Sequence, residues 1–380
     1  MSGAATTPRI LHLHSSFDAG AAQLRTVRLI NALGPAAEHA IVSGDPLRRG
    51  AARALGPRAI VTWPEFPPMA GKPWPARLKQ LAGAMAGYDL VCTYNRGALD
   101  AALAHTLFAD VFRLAPLVHH DDGFNEDEAA AHKPRGNFYR RIALGRSAAV
   151  VVPSRQLERI ALEEWQQPRS RVRLIPEGIE TAAFARPVQR ASLPGLVKRK
   201  GELWLGTLAD LSAADNLSAL VRAFAALPEP WQLVIAGDGS ERAAIVAEAE
   251  RLGIDHRVHL PGSVGSERVM GLFDLFALSP LSEQAPLSLV EAMAAGLAVA
   301  APRVAEVAAA LASDNGPFLA APGDEAALGE ALARLAADPA ACKRIGEANR
   351  TKARAEFDQA LMVERYRALY WNLMGHARPA

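Results

Sequence analysis

The sequence predicts an α/β protein built as two doubly wound domains in tandem, each a mostly parallel sheet covered by helices. Three observations carry that expectation. Short apolar runs ending in polar, Pro or turn-forming residues alternate with helix-like stretches along the chain, as in sheets whose strands are joined by crossover helices. The alternation breaks once, over Glu177 to Lys200, where Pro187, Pro194 and Gly195 precede the basic run Lys198, Arg199, Lys200, and then restarts. A chain of 380 residues is also long for a single hydrophobic core and natural for two.

RILHLHS (9 to 15) is the first strand. A loop and a helix follow through FDAGAAQLRTVRLINAL, whose Leu24, Val27, Ile30, Ala32 and Leu33 keep roughly helical spacing. HAIVSG (39 to 44), DLVCTYN (89 to 95), PLVHH (116 to 120), AAVVVPS (148 to 154) and RVRLIP (171 to 176) supply the further strands of the first domain. After the break, ELWLGTL (202 to 208), WQLVIAGDG, RVHLPG, LFALSP and LAVAAP read as strands. NLSALVRAFAAL, SERAAIVAEAERLG and Leu287 to Ala295 read as helices. The last stretch, QALMVERYRALYWNLMGH, is an amphipathic helix with Leu361, Tyr366, Leu369, Tyr370 and Leu373 on one broad face. The expected division is residues 1–180 as the first domain, 181–200 as linker and 201–360 as the second domain.

Half of the residues are hydrophobic and 22% are charged, the balance of a globular chain. Lys plus Arg (42) nearly equals Asp plus Glu (40), so nothing demands a nucleic-acid partner. The two cysteines, Cys92 and Cys342, offer neither a disulfide framework nor a CxxC zinc spacing. The start, MSGAATTPRILHLHSS, lacks a long apolar signal core. No run of about 18 uninterrupted apolar residues appears. The cytoplasm is therefore the expected compartment.

The stretch SEQAPLSLVEAMAAGLAVAAP (282 to 302) carries two carboxylates, Glu283 and Glu291, at the mouth of an otherwise apolar segment. Pro286 suits the first turn of a helix, where its missing N–H costs nothing. Leu287, Val290 and Ala294 mark the buried face, and Gly296 is a C-terminal stop. Glu291 lies early in this helix, within reach of its positive end. Loop carboxylate, helix-start amides and helix carboxylate converge on one volume, where carboxylates accept from hydroxyls and amides favour anions. Spacing alone is equally that of an ordinary helix with a nearby loop Glu.

The context says more. Glu283, Pro286, Glu291, Ala292, Met293, Ala294, Ala295 and Gly296 resemble the E-x7-E donor segment of family 4 glycosyltransferases, a group with the GT-B fold of two Rossmann-like domains facing a cleft. PSRQLERIA (153 to 161), LIPEGIETAAF (174 to 184), LGTLADLSAADNLSALVRAF, IAGDGSERAAI and ERVMGLFDLFALSP match the same family in type and order. The resemblance implies an acceptor-binding N-terminal domain, completed by a C-terminal helix (361–380) that crosses back to it, and a donor-binding C-terminal domain. Glu291 would accept from the donor's ribose hydroxyls and Glu283 would contact the donor sugar. Backbone amides at Leu287 and Ser288 would meet the sugar or diphosphate. Gly206 and Thr207 would line the nucleotide site, with Gly237, Asp238 and Gly239 as a tight loop nearby. Transfer would retain anomeric configuration and need no metal and no cofactor beyond the nucleotide-sugar.

Three positions depart from the family pattern. Where the family carries an Arg and a Lys against the diphosphate, this chain has Asp210 and Asp215, and the family's Gly after LAVAAP is Ala305. The N-terminal glycine-rich loop is thinned to AGAAQ, with Gly20 as its one glycine. Compensation by Lys198, Arg199, Lys200, Arg242 or Arg303, an unusual donor, and a catalytically silent protein that binds a ligand or partner are the open explanations. Sugar-nucleotide epimerisation is a further GT-B chemistry to weigh.

In the first domain, His119 and His120 end a strand at the carboxyl edge, where open parallel sheets bind ligands. The resemblance implies a His here beside the reacting sugar. His120 is the choice and His119 the reserve, since neighbours on a strand face opposite ways. Asp18, Gly20 and Gln23 on the first strand–helix loop, Asn95 and Arg96 after DLVCTY, and Arg155 are acceptor-side candidates. The stretch HKPRGNFYRRIALGR (132 to 146) sets Lys133, Arg135, Arg140, Arg141 and Arg146 beside Phe138 and Tyr139. It reads either as a solvated basic face or as a surface that docks on anionic lipid. The second alternative would put the protein peripherally at the inner face of the plasma membrane. The expected function is retaining transfer of a sugar from a nucleotide donor to a glycan or lipid-linked acceptor in cell-surface polysaccharide or glycolipid synthesis.

Overall fold

The computed structural model of the protein describes residues 7–123, 134–186, 188, 193, 195–281 and 286–376. The chain forms two compact units. One is the chain up to Glu177 together with the chain from Met362 onward, and the other is Gly178–Leu361.

The first unit holds β1 (Arg9–His14), α1 (Ala21–Leu33), β2 (Glu38–Ser43), β3 (Ile60–Thr62), α2 (Pro75–Ala84), β4 (Leu90–Tyr94), α3 (Leu99–Phe112), β5 (Leu117–His120), α4 (Pro134–Ala143), β6 (Ala149–Val152), α5 (Arg155–Glu163) and β7 (Val172–Leu174). The strands are parallel, in the order β3-β2-β1-β4-β5-β6-β7. Strands β4, β5 and β6 are buried at every position, as expected where helices cover both faces.

The second unit holds β8 (Leu203–Leu208), α6 (Leu217–Phe224), β9 (Trp231–Ala236), α7 (Arg242–Arg251), β10 (Val258–Gly262), β11 (Leu275–Ala277), α8 (Leu287–Ala295), β12 (Val299–Pro302), α9 (Ala305–Ala310), β13 (Leu319–Ala320), α10 (Glu325–Ala337) and α11 (Pro339–Glu356). Its parallel sheet runs β10-β9-β8-β11-β12-β13. In each sheet the order reverses beside the first strand, between β1 and β4 and between β8 and β11. Such points are where doubly wound sheets bind ligands, at the carboxyl ends of the strands.

The apolar runs named above form strands within a residue or two of their expected bounds. The edge strands β3 and β13 were not foreseen, being only three and two residues long. The stretch expected as linker packs with the second unit. Ile179, Phe184 and Leu193 are buried in a core cluster with Phe273, Phe276 and Met293.

The terminal helix, α12 (Gln359–Met374), carries the chain back to the first unit. Its Met362, Val363, Tyr366, Tyr370 and Trp371 are buried against Ile10, Leu29, Val118 and Ile175. Leu361, expected on this face, is instead exposed. Each large side chain fully buried here contributes roughly 1.5–3 kcal/mol, so the helix is a firm part of the first sheet's covering layer.

Candidate functional site

In the second unit a cavity of about 400 Å³ opens at the β8–β11 switch point. Thr207 and Leu208 end β8 on its wall. Ala236 and Gly237 close β9, Leu278 to Pro280 follow β11, and Pro286, Leu287, Ser288 and Glu291 bring in the start of α8. Helix α8 begins after Pro286, which is extended, and stops at Gly296, whose φ of 80° few other residues adopt. The Ser288 hydroxyl donates to the Leu208 carbonyl (3.1 Å), tying the helix start to the strand end. The Leu287 and Ser288 amides that open α8 have no carbonyl partner within the helix, so this wall favours negative charge.

Glu291 stands one turn in. Its Oε1 accepts from the Ser266 hydroxyl at 2.8 Å, which orients the carboxylate. Ser266 was not foreseen, because only the fold brings it to Glu291. Glu283 lies outside the described residues.

Gly237 lines the cavity and has a φ of 147°; a Cβ there would lie 1.8 Å from the Ala209 carbonyl oxygen. At Gly239 a Cβ would lie 2.0 Å from the Asp210 carbonyl oxygen. The two strand-end loops touch backbone to backbone, which explains the glycines better than contact with a ligand does. Asp238 is exposed and accepts from the Gly239 amide (2.9 Å), away from the cavity wall. Gly206 is buried within β8, and a Cβ there would strike the Phe273 ring at 2.1 Å. It serves packing, whereas its neighbour Thr207 reaches the cavity. Arg242 donates to the Leu260 carbonyl (2.8 Å), turned toward β10.

Asp210 and Asp215 both line the cavity. The Asp215 carboxylate also holds its own turn together. It accepts from the Ser212 amide (3.2 Å) and hydroxyl (2.6 Å), a capping box on the turn Ala213–Asp215. Ala305 begins α9 and is exposed, off the cavity wall. Among the described residues lining the cavity there is no Lys or Arg. Lys198 is bound to Asp274 (2.6 Å) and the Leu272 carbonyl, and Arg303 to the Gly316 carbonyl. Arg199 and Lys200 precede β8, at the opposite end of the strand from the cavity.

In the first unit the carboxyl edge is filled rather than open. His120 is 1% exposed. Its Nε2 meets the Tyr370 hydroxyl (2.9 Å) and its ring stacks on Tyr94 at 4.4 Å. The expectation of a cleft-facing His120 is corrected here: α12 covers it, and burial holds its pKa well below the usual value. His119 faces the other way, as neighbours should, and pairs through Nδ1 with the Thr93 hydroxyl (2.9 Å). It too is wholly buried. On the far side of Tyr94, His14 stacks at 3.9 Å. His12 bridges the Tyr94 hydroxyl (2.9 Å) and His39 (3.0 Å). Burial lowers His14 to about 3 and His39 to about 4, so this is a cluster of neutral imidazoles.

Asn95 pairs with Asp122: its Oδ1 accepts the Asp122 amide (2.8 Å). Asp18 is paired with Arg48 at 3.0 Å, Gln23 donates to the Ser16 carbonyl (2.9 Å), and Gly20 caps α1. Arg155 is the exposed first residue of α5. The basic stretch divides its residues. Arg140 is buried against Asp121 (3.1 Å) and over Trp165, Tyr139 donates to Asp100, and Arg146 pairs with Asp110. Arg141, Phe138 and Ile142 are exposed. Lys133 lies outside the described residues.

Two doubly wound parallel units, the second with its cavity at the switch point, define a GT-B fold. The HepE protein of Anabaena, solved in complex with UDP, shares it at a TM-score of 0.78, with 17% identity over 96% of this chain and 100% of that one. The family description Glycosyltransferase Family 4 fits residues 25–183, and Glycosyl transferases group 1 fits residues 189–352. The chain belongs to the family 4 glycosyltransferases. A Bacillus subtilis (strain 168) protein named as a glycosyltransferase, EpsF, is 30% identical over 173 residues, 42% of this chain and 43% of that one. The 2-deoxystreptamine glucosyltransferase of Streptomyces kanamyceticus is 26% identical over 210 residues, 53% of this chain and 54% of its own length. The matches thus span about half of each relative.

Proposed function

We propose that this protein transfers a sugar, with retention of configuration, from a nucleotide-sugar donor to a hydroxyl of a glycan or lipid-linked acceptor, in polysaccharide or glycolipid synthesis. One observation carries the reading: a cavity at the β8–β11 switch point holds Glu291, oriented by Ser266, beside the start of α8. A carboxylate accepts paired ribose hydroxyls, and helix-start amides donate to phosphate oxygens. The complexes of HepE with UDP and with UDP-glucose support the same ligand class. The donor brings its own leaving group, and the protein supplies orientation and stabilisation of the departing charge.

A thermal-shift panel of UDP-, GDP-, ADP- and CMP-sugars tests this. At least one should raise the melting temperature, and no shift with any of them would count against the reading. A second reading, a silent relative that binds without transferring, is favoured by the absence of Lys and Arg among the described residues lining the cavity. Binding with neither hydrolysis nor transfer would select it.

Among the described residues no helix is long and apolar enough to cross a membrane. Peripheral contact is part of the proposal, through exposed Phe138, Ile142 and Arg141 on α4. Vesicles containing phosphatidylglycerol should retain the wild type and release a Phe138→Ser/Ile142→Ser variant. Equal retention would remove this element.

A further inference from the structure

The first unit holds a carboxylate to which no role has been given. Asp121 and Asp122 follow β5 at the carboxyl edge, beside the β1–β4 switch point, and their situations differ. Asp121 has no exposure; Arg140 at 3.1 Å and the Gly123 amide at 3.2 Å occupy it. Asp122 keeps 23% of its side chain exposed. Its Oδ1 takes Arg25 Nη1 at 2.6 Å, while Oδ2 has, among the described residues, only the side-chain amide of Asn95, at a long 3.4 Å. A carboxylate has about four acceptor sites, so Oδ2 has capacity to spare.

The surroundings hold this carboxylate rigidly. Arg25 is 3% exposed, and Glu177 at 3.1 Å is its second partner. Its Nε and Nη2 are buried with no hydrogen-bond partner among the described residues. Asn95 sits at φ 54°, ψ −172°, a region that non-glycine residues occupy at a cost and that recurs at functional sites. Three contacts impose that conformation: the Asn95 amide donates to the His120 carbonyl (2.7 Å), Asn95 Oδ1 takes the Asp122 amide (2.8 Å), and the preceding Tyr94 is clamped between His14 and His120. The stacked histidines thereby set the position of Asn95, and Asn95 sets that of Asp122.

We propose that Asp122 binds the nucleophilic hydroxyl of the acceptor, with Asn95, Arg25 and the His14–Tyr94–His120 stack as its positioning residues. The proposal rests on the sugar-transfer reading. The Arg25 guanidinium 2.6 Å from Oδ1 already balances the charge of this carboxylate, which suits a neutral hydroxyl better than a cation. Its part is orientation. As the acceptor oxygen bonds to the anomeric carbon, the bond from that carbon to the diphosphate oxygen breaks. The diphosphate leaves with the electron pair, and the hydroxyl proton passes to it.

Two arms test this with the whole chain. In crystals soaked with D-glucose, a hydroxyl should lie within hydrogen-bond distance of Asp122 Oδ2 in the wild type and be absent in Asp122→Asn. Glucose that avoids Asp122, or that binds Asp122→Asn equally well, overturns the proposal. With UDP-glucose and water as acceptor, Asp122→Asn should slow UDP release at least about tenfold through lost orientation. The affinity for UDP-glucose should hold, the melting temperature should fall because buried Arg25 loses a charged partner, and Asp122→Glu should restore part of the rate. An unchanged rate in Asp122→Asn overturns the proposal. If the wild type fails to bind any nucleotide sugar, the sugar-transfer reading fails instead, and the glucose arm alone decides Asp122.

Discussion

The two sheets present the same topological opening, a switch point at the carboxyl ends of parallel strands, and fill it in opposite ways. At β1 and β4 the strands end in His14 and Tyr94, and the space is packed with stacked rings and an Asp122–Arg25–Glu177 ion-pair chain. At β8 and β11 the described wall residues include no aromatic ring, Gly237 lets two loops touch, and a cavity remains. Topology makes the opening available; the strand-end side chains decide how much of it is left for a ligand. A buried polar edge costs more to assemble than an open one, because every donor needs a partner. Atoms without one among the described residues, such as His14 Nδ1 and His39 Nε2, mark where that cost is unrecovered.

The largest test breaks the open edge. Gly237→Ala puts a Cβ 1.8 Å from the Ala209 carbonyl oxygen at a φ of 147°. Strain of this kind, with the forced shift, should cost at least about 3 kcal/mol and abolish nucleotide binding. Gly20→Ala at the closed edge meets only the flexible end of Gln23 and should cost no more than about 1 kcal/mol, the loss of an N-cap glycine. Chemical unfolding of both variants reads the contrast. Equal effects would mean that the open edge tolerates a side chain after all.

The next test breaks the closed edge by acid. His14 and His39 have folded pKa values of about 3 and about 4, against 6.5 in the unfolded chain. The unfolded state therefore takes up protons first as pH falls. The stability contributed by the neutral rings is complete above pH 6.5 and is lost progressively below it, until the folded pKa is reached. Between pH 6.5 and 5 the loss should be roughly 2 kcal/mol per histidine. Urea midpoints at the two pH values check this; a flat profile would show that the rings are hydrated or already charged.

The smallest effect sharpens the account of the open edge. Asp215→Lys removes the cap on Ser212, which should cost about 1 kcal/mol of stability. It also replaces an anion by a cation on the cavity wall. UDP should then bind about tenfold tighter, well under the roughly 4 kcal/mol that a unit pair about 4 Å apart is worth at an effective dielectric of about 20. UMP should gain less. Unchanged UDP affinity in calorimetry would mean that the diphosphate lies away from this turn.

The two edges also differed in how readable they were. The open one could be seen from local signals. Pro286 and Gly296 bound α8 in the sequence as in the fold, and so they locate Glu291. The Ser212-x-x-Asp215 spacing of a capping box was equally present, but resemblance to a family with a Lys at that position drew attention to charge instead. The closed edge depends on distance in sequence. His120 is covered by Tyr370, 250 positions later, and Arg25 meets Glu177 152 positions away. Periodicity locates a strand and its ends, but it carries no signal for what a remote helix lays across them.

Calorimetric titration of UDP-glucose into the wild type and into Glu291→Gln tests the central claim most directly. A hydrogen bond to a charged group contributes about 1.5–3 kcal/mol, so the account predicts affinity lowered roughly 10- to 100-fold with the fold intact. Equal affinity in the two proteins would contradict it.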